Sequence, residues 1–214
     1  PATISEGQAI NRQITIGDPD LDTYTVTVDY GDGDAPSVFN TSSKTPVISN
    51  AFGPDGVYTV TVTVDDNNGS QETDSFQVTV QNGPPIARND FFDLTEDETV
   101  SGDLLAGNGV SPDSDPGDDP LQVVEINDAP FVAGVPFLLP SGATLTVGSD
   151  GQFVYDPSTS SSLQSLADLE EATDSFTYTL ADDEGLENEA TATFAISGAD
   201  DAVDARDDAI SVDE

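Results

Sequence analysis

Apolar and polar residues alternate with a period of two through residues 1–82. Tyr24, Val26, Val28 and Tyr30 fall on one side of a predicted strand, and the alternation returns in residues 58–64. A period of two predicts half-buried antiparallel strands. Turn sequences separate these runs, namely Gly31-Asp32-Gly33, Pro54-Asp55-Gly56 and Asn67-Asn68-Gly69. Several short strands with regular turns predict a small β-sandwich.

Strand-like alternation continues after residue 82, where two segments differ from the rest. Residues 130–140 are largely apolar and predict an additional pair of strands, with an exposed contact surface as the alternative. Ser160-Ser161-Ser162 is followed by Leu163, Leu166 and Leu169, which predicts one short capped helix. The chain as a whole is predicted to be all-β.

A repeated stretch divides the chain. Residues 82–96 contain an Ala-Arg-x-Asp pattern, and residues 200–214 contain the same pattern 118 positions later. A fixed period is the mark of a tandem array. Glu6 stands in the phase of Glu96, 90 positions earlier. We therefore predict a sandwich over 1–82, a second over 83–199, and a linker with the first strand of a third repeat over 200–214.

The charge of the chain is strongly one-sided. Asp and Glu number 42 against 4 Lys and Arg, which gives a formal net charge of −38. Such a surface repels nucleic acid and anionic membrane, so cations are the expected partners. The absence of Cys and His removes disulfides, ordinary zinc sites and Ser-His or Cys-His nucleophiles. The remaining metal chemistry relies on oxygen ligands.

No run of about 18 apolar residues is present, and the chain begins at Pro1 without a signal-like segment. We expect the chain to be an excerpt of a longer secreted or surface-exposed protein.

The first half contains a recognisable motif. Val28-Asp29-Tyr30-Gly31-Asp32-Gly33 is followed by the Tyr-Thr-Val alternation of residues 58–64, which leads into Asp66 and Gly69. This order resembles the PKD (polycystic-kidney-disease-type) repeat. Val28 and Tyr30 replace the Trp and Phe that are usual there, and both remain on the inward face. The resemblance covers most of residues 1–82 and implies an immunoglobulin-like sandwich.

The second half resembles a different family. The sequences that carry the likeness are Gly102-Asp103-Leu104-Leu105-Ala106, residues 113–123, Asp150-Gly151-Gln152-Phe153-Val154-Tyr155-Asp156-Pro157, residues 174–182 and residues 192–198. Their order and spacing are similar to the bacterial cadherin-like, or VCBS-type, repeats. The two resemblances together imply two tandem immunoglobulin-like/cadherin-like β-sandwich domains of a large calcium-dependent, RTX-type surface adhesin involved in cell adhesion and biofilm formation.

The topology of a sandwich predicts where its carboxylates gather. Loops alternate between the two ends of the sandwich, and a first strand at about 3.3 Å per residue crosses the whole domain. Glu6 therefore belongs to the exit end of the first domain, and Asp113, Asp115 and Asp182 belong to the entry end of the second. With Asn82 and the backbone at Gly83 from the linker, these groups are predicted to form a Ca²⁺ site at the middle junction. Ca²⁺ takes six to eight oxygen ligands in proteins.

The same argument predicts two partial sites. Asp18, Asp20 and Asp66 belong to the N-terminal end of the first domain. The C-terminal end carries Glu96, Asp200 and Asp201. Neighbouring repeats would complete both sites, so we expect them to be weaker. In cadherins, a late first-strand glutamate, a linker Asn/Asp and an Asp-x-Asp share calcium in this way, and the linker here has Asn82-Gly83 where Asn-Asp is more typical.

Other interpretations of the acidic loops remain open. Asp clusters in loops are often solvated turn formers, and an acidic surface also suits a saline habitat. Asp29 and Asp32 suit a role in fixing their own turn. An EF-hand over the Asp18-x-Asp20-x-Asp22 run is excluded because Thr23 stands where that loop needs Gly.

Three classes of function follow. The first is a calcium-stiffened spacer whose partners are Ca²⁺ and neighbouring repeats, with no nucleic acid, no membrane contact by this segment and any glycan or protein ligand elsewhere in the parent chain. The second is a carbohydrate- or protein-binding adhesion module, disfavoured by the absence of Trp but served by Phe131 and Phe137 if they are exposed. The third is an enzyme. We expect no enzymatic activity, because acid–base catalysis needs a cleft and these carboxylates lie in loops at the domain ends.

Overall fold

The computed structural model describes residues 1–20, 22–108 and 110–200. Within these ranges the chain is built from sixteen strands and short 3-10 turns, which confirms the all-β prediction. Among the same residues, no helix has the length and apolar character needed to cross a bilayer. Contacts between Cα atoms divide the chain into two compact units. The first unit contains Pro1–Ile86 with the loops Ser114–Leu121 and Leu180–Asn188, and the second contains Ala87–Asp113, Gln122–Thr179 and the residues from Glu189.

The first unit is a sandwich of a five-stranded and a two-stranded sheet. Its strands are β1 (Ala2–Ser5), β2 (Ala9–Gln13), β3 (Tyr24–Asp29), β4 (Ser37–Thr41), β5 (Val47–Ala51), β6 (Gly56–Asp65) and β7 (Gln71–Gln81). The larger sheet has the order β1-β7-β6-β3-β4, and β2 pairs with β5. The inward positions predicted from the alternation form the core, because Tyr24, Val26, Val28 and Val60 are each at most 1% exposed.

The second unit contains most of the other two sheets. Their strands are β8 (Asp90–Thr95), β9 (Val100–Asp103), β10 (Gln122–Ile126), β11 (Ala129–Pro130), β12 (Phe137–Leu138), β13 (Thr144–Val147), β14 (Gln152–Asp156), β15 (Glu171–Ala181) and β16 (Glu187–Ser197). The sheet orders are β11-β10-β15-β16-β8 and β12-β13-β14-β9. Aromatic rings fill the space between the sheets, with Tyr155 stacked on Phe194 at a centroid distance of 4.0 Å and Phe92 at 5.2 Å from the same ring.

The segment predicted to be a helix does not form one. Pro157–Thr159 and Leu163–Ser165 are single 3-10 turns, and Leu166 N donates to Leu163 O in the short i to i+3 pattern. Leu169 has a positive φ of 67° and is 88% exposed, so the leucine stripe does not continue onto the core. The helix prediction is therefore wrong. Serine hydroxyls such as Ser160 Oγ, which donates to Ser141 O, instead fix a compact loop.

The apolar segment 130–140 supplies the edge strands of two different sheets, since β11 pairs with β10 and β12 pairs with β13. Phe131 and Phe137 are half-buried. Leu139 is buried, whereas Val132 and Leu138 are each 68% exposed. The segment thus closes part of the core and also leaves apolar side chains on the surface.

The first strands of the two sequence repeats have the same register against the last strands. β1 runs parallel to β7 with Ala2 opposite Val78 and Ile4 opposite Val80. β8 runs parallel to β16 with Phe92 opposite Phe194 and Leu94 opposite Ile196. These pairs equal the β1–β7 pairs when 90 is added to the first-strand number and 116 to the last-strand number. Glu6 N donates to Gln81 O, as Glu96 N donates to Ser197 O. The repeat seen in the sequence is therefore a structural repeat at the level of single residues.

Candidate metal centre

Glu6 follows β1 and turns its carboxylate into the first unit, where only 4% of the residue is exposed. Its backbone is held on both sides, because Glu6 N donates to Gln81 O and Gly7 N donates to Phe52 O, each at 3.1 Å. Glu6 Oε2 accepts a hydrogen bond from Gly83 N at 2.9 Å. Glu6 Oε1 is buried and has no hydrogen-bond partner. One oxygen thus fixes the side chain and the other is left for a ligand.

The loop Ser114–Leu121 brings a second buried carboxylate to Glu6. Asp115 is 7% exposed, and its Oδ1 accepts from Gly117 N at 2.7 Å, which closes the turn. Asp115 Oδ2 is buried without a partner. Gly117 packs directly on the glutamate, since a Cβ placed there would lie 2.5 Å from Glu6 Oε1. A larger residue at position 117 would therefore have to displace the Glu6 carboxylate.

Three carboxylates meet at this point. Oxygens of Glu6, Asp115 and Asp119 lie within 4.8 Å of one another, and we call these three residues the Glu6 cluster. Two such charges at about 5 Å repel by about 3 kcal/mol at an effective dielectric of about 20. Burial raises the pKa of Asp119, and the charges of Glu6 and Asp115 raise it further. The cluster is held together against its own electrostatic repulsion.

The loop Leu180–Asn188 adds further oxygens. Asn82 Nδ2 donates to Asp182 Oδ2 at 3.0 Å, and Leu186 N donates to Asp182 Oδ1 at 2.8 Å. Asp183 and Glu184 form a second acidic group with Asp119, again with oxygens within 4.8 Å. A hydrogen bond with Asp183 raises the pKa of Glu184 to about 7. Asp119 therefore belongs to two adjoining groups of carboxylates.

The unpaired oxygens match the chemistry of a calcium site. The buried oxygens without a hydrogen-bond partner in this part of the first unit are Glu6 Oε1, Asn82 Oδ1, Asp115 Oδ2 and Asp119 Oδ2. A buried polar atom without a partner costs about 1–3 kcal/mol, and more when it is charged. Carboxylate and amide oxygens are the ligands that Ca²⁺ takes in proteins. The residues present thus fit a hard divalent cation.

Asp113, which was predicted for the middle junction, is not part of the Glu6 cluster. Arg88 N donates to Asp113 Oδ1 at 2.7 Å, and Tyr178 OH lies 3.1 Å from Asp113 Oδ2. Tyr178 OH also donates to Asp90, which is fully buried. Burial raises the pKa of Asp113 to about 6. This carboxylate fastens the segment before β8 instead of facing Glu6.

The N-terminal acidic residues form an exposed group with a different membership. Asp18, Asp20 and Asp22 have oxygens within 4.8 Å of one another, and none of them is buried. Asp66 lines the same surface groove but uses its carboxylate for its own turn, where it accepts from Asn68 N and Ser70 N. These backbone hydrogen bonds lower the pKa of Asp66. Asp22 thus takes the place in this group that the sequence assigned to Asp66.

At the C-terminal end, Glu96 resembles Glu6 in its burial. It is 0% exposed, its Oε1 accepts from Ala199 N at 2.9 Å, and its Oε2 is buried without a partner. Asp200 is exposed. Asp201 lies outside the described residues, as does the predicted first strand of a third repeat.

Sequence reasoning missed Asp119, Asp183 and Glu184. A signal for the first was available, because Asp118 and Asp119 follow the Asp-x-Asp motif within four residues of Asp115. Asp183 and Glu184 directly follow Asp182, and their direction depends on the turn that Asp182 caps.

Two family comparisons agree with the motifs. The sequence model of the PKD domain matches residues 1–80, and that of the bacterial cadherin-like domain matches residues 82–198. The second match covers more than half of the chain. The chain belongs to the bacterial cadherin-like family. Cadherin-like and PKD domains are typical of adhesion-related, extracellular repeat proteins, and cadherin-like domains generally bind calcium. A search among curated proteins finds no match for this cadherin-like chain.

Solved structures with a similar fold include adhesion proteins. A human mucin-like protocadherin fragment, EC1–2, is 13% identical, with 92% of this chain and 94% of that chain covered and a TM-score of 0.37. Drosophila N-cadherin EC1–4 is 16% identical, with 93% and 47% covered and a TM-score of 0.34. The insect immune protein hemolin is 12% identical, with 91% and 44% covered and a TM-score of 0.45. The cadherin-like chain thus spans less than half of hemolin, and at these values the likeness carries no weight for function.

Proposed function

We propose that this cadherin-like chain is a calcium-binding spacer segment of a large bacterial cell-surface adhesin. In this proposal Ca²⁺ at the Glu6 cluster stiffens the tandem repeats and holds a distal adhesive domain away from the cell. The observation that supports it most strongly is the set of buried, unpaired oxygens on Glu6, Asn82, Asp115 and Asp119. Four oxygens without partners in one region are costly without a cation and are the ligands that Ca²⁺ requires.

The sequence positions of these ligands suggest what the ion does. Glu6 lies in the range matched by the PKD domain, whereas Asp115 and Asp119 lie in the range matched by the cadherin-like domain. In this proposal an ion shared by these side chains ties the two matched ranges of the chain together. Relative motion is the default for tandem domains with small interfaces. Calcium ligation across the two matched ranges therefore suppresses that motion.

The residues at the site would have different roles in binding the ion. Glu6 and Asp115 each use one oxygen to hold backbone, through Gly83 N and Gly117 N, and present the other oxygen to the ion. Asn82 would orient its Oδ1 in the same way, because its Nδ2 is fixed on Asp182. Asp182 and Asp183 supply negative charge next to Asp119. Extracellular modules typically bind calcium with dissociation constants of about 10⁻⁴ to 10⁻³ M, which suits secreted or cell-surface repeats.

A combined calcium and scattering experiment tests the proposal. Small-angle scattering with Ca²⁺ and with a chelator is compared for the natural chain, Asp115→Asn and the matched control Asp20→Asn. We expect chelation to shorten the maximum dimension of the natural chain and of Asp20→Asn, and Asp115→Asn to be shortened already in Ca²⁺. Anomalous scattering from crystals grown with calcium would place the ion at the Glu6 cluster. Equal dimensions with and without chelator would refute the spacer role.

A role in ligand binding has one observation in its favour. Val132, Val135 and Leu138 are between 51% and 68% exposed and come from the apolar segment 130–140. Exposed apolar side chains of this kind can contact a protein ligand. If the segment binds a protein ligand, replacement of Val132 and Leu138 by Ser would reduce cell attachment. If the chain is a spacer, the same replacement would leave cell attachment unchanged. We propose no catalytic role for the carboxylates.

A further inference from the structure

A large open groove lies on the first unit, beside the exposed Asp18–Asp20–Asp22 group. Its volume is about 860 Å³. Apolar side chains line part of it, including Ile14, Val62, Val64 and Phe76. Arg12 stacks on the Phe76 ring, with Cζ 3.9 Å from the ring centroid. The groove is thus lined by both apolar and charged side chains.

The internal repeat identifies the counterpart of this groove. The last strands of the two repeats correspond with an offset of 116, as the β1–β7 and β8–β16 registers show. The preceding turns obey the same offset, since Ser70 N donates to Asp66 Oδ1 as Leu186 N donates to Asp182 Oδ1. Val62, Glu72 and Ser75 therefore correspond to Tyr178, Asn188 and Thr191. The two Asp-x-Asp loops align Asp18 and Pro19 with Asp113 and Ser114.

In the second repeat, all five counterparts contact one extended segment, residues 85–89. Ile86 and Ser114 pair through both backbone groups, and Arg88 N donates to Asp113 Oδ1. The hydroxyl oxygen of Tyr178 lies 2.8 Å from Arg88 O, Asn188 Nδ2 donates to Pro85 O at 2.9 Å, and Thr191 N donates to Asn89 Oδ1 at 2.9 Å. The corresponding residues of the first repeat, Asp18, Pro19, Val62, Glu72 and Ser75, all line the groove.

One backbone N–H of the groove has a hydrogen-bond partner other than residues 85–89. Thr191 N donates to Asn89 of the extended segment, whereas Ser75 N donates to Asp74 Oδ1 of its own strand at 2.8 Å. A neighbouring side chain thus satisfies the backbone group that the segment satisfies in the other repeat.

We propose that the groove binds an extended peptide with the chemistry of residues 85–89, namely proline, small apolar residues and an arginine, entering β1 from its N-terminal side. The charges support this occupant, because six carboxylates line the groove, those of Asp18, Asp20, Asp22, Asp66, Glu72 and Asp74. Among the described residues, the cations beside them are Arg12, which lines the groove, and Lys44, whose Nζ donates to Asp18 O. An arginine at the position of Arg88 adds the missing positive charge. Two departures limit the hydrogen bonding: Pro19 has no N–H where Ser114 donates to Ile86 O, and Val62 has no hydroxyl where Tyr178 has one.

A graft tests this proposal on the intact chain. Residues 83–90, Gly-Pro-Pro-Ile-Ala-Arg-Asn-Asp, are fused directly before Pro1, which restores the register because Phe91 is the counterpart of Pro1. The matched control carries Ser in place of the Ile and Arg of the extension. In Ca²⁺ throughout, we expect the grafted chain to melt about 4–8 °C above the control, the shift that about 1 kcal/mol gives in a domain of this size.

Nuclear magnetic resonance locates the occupant. In the graft, and with the same octapeptide added to the natural chain, we expect shift changes at Val62, Val64 and Phe76, weaker in the second case because a tether supplies an effective concentration of about millimolar. No thermal gain over the control, or shift changes outside the groove, would overturn the proposal. Concentration-dependent shifts at the groove without any peptide would also overturn it, since they would identify a second copy of the chain as the occupant.

Discussion

Glu6 and Glu96 occupy equivalent positions in two copies of one strand, and their surroundings differ. Both are buried, and both keep one carboxylate oxygen without a hydrogen-bond partner. The strands before them, β1 and β8, pair in the same register with β7 and β16. Glu6 is joined by Asp115 and Asp119, whereas Glu96 belongs to no acidic group among the described residues. The strand alone buries the glutamate. Loops from a later part of the sequence decide whether a buried glutamate becomes part of a multidentate site.

Calcium removal should produce the largest effect and should act on Glu6. Without the ion, the Glu6 cluster carries repulsion of about 3 kcal/mol per pair at an effective dielectric of about 20. A ligand at 100 times its dissociation constant contributes about 2.7 kcal/mol of stability. We expect a chelator to lower the melting temperature by on the order of 10–20 °C. Calorimetry with and without Ca²⁺ measures this. Recovery of the melting temperature when NaCl is added to the calcium-free form would instead point to general charge screening.

Glu6→Gln and Glu96→Gln should differ in one respect. The effect of Glu6→Gln on the free energy of unfolding should change sign between Ca²⁺ and chelator. In Ca²⁺, Glu6→Gln removes a ligand and should lower the free energy of unfolding by about 2–3 kcal/mol. In chelator it removes a repelling charge and should raise it by about 1–3 kcal/mol. Glu96→Gln should give no such inversion, because Glu96 belongs to no group of three acidic residues in the described part of the chain. Denaturant unfolding in both conditions measures the four values, and equal signs for Glu6→Gln would contradict the cation site.

Asp115→Asn and Asp20→Asn test burial as the distinguishing property. Each removes the second carboxylate of an Asp-x-Asp motif, and Asn retains an oxygen that can accept from Gly117 N. We expect Asp115→Asn to weaken calcium binding at least about tenfold, equivalent to about 1.4 kcal/mol. Asp20→Asn, in the exposed group, should change it less than about twofold. Isothermal titration calorimetry provides the affinities, and matching losses would mean that exposure does not separate the two groups.

The smallest effect is expected at the outer carboxylates. Asp183→Asn and Glu184→Gln change exposed groups beside Asp119, so they alter the local potential more than the coordination. We expect each to weaken calcium binding about two- to threefold at low salt and less at 0.5 M NaCl, where the Debye length is only a few ångströms. A tenfold loss that persists in high salt would show that they are direct ligands.

The sequence was sufficient for the sheets and for the equivalence of Glu6 and Glu96. Strand alternation and the repeat depend on local pattern, and both are visible in Tyr24, Val26 and Val28 as well as in Glu6 and Glu96. The direction of loop carboxylates is a different matter. Asp113 and Asp115 are two residues apart, yet one accepts from Arg88 N and the other faces Glu6, because each side chain caps a different backbone group. Such choices depend on partners distant in sequence.

The helix was wrongly predicted and the groove was not predicted at all, for related reasons. The serines before Leu163 find distant acceptors such as Ser141 O, which no local helix signal contains. The groove depends on a correspondence between Val62 and Tyr178 that requires both registers. Sequence pattern therefore predicted which residues are buried, and it did not predict which polar groups they meet.

Gly117 carries no charge and no side chain, yet a single added methyl group there would occupy the space of the Glu6 carboxylate. We expect alanine at this position to prevent calcium binding at the Glu6 cluster, as a chelator would, with every acidic residue of the loop still in place. Surveys of natural variation that search only for lost carboxylates would overlook such a change, even though it would disable the proposed calcium site as thoroughly as the loss of a ligand.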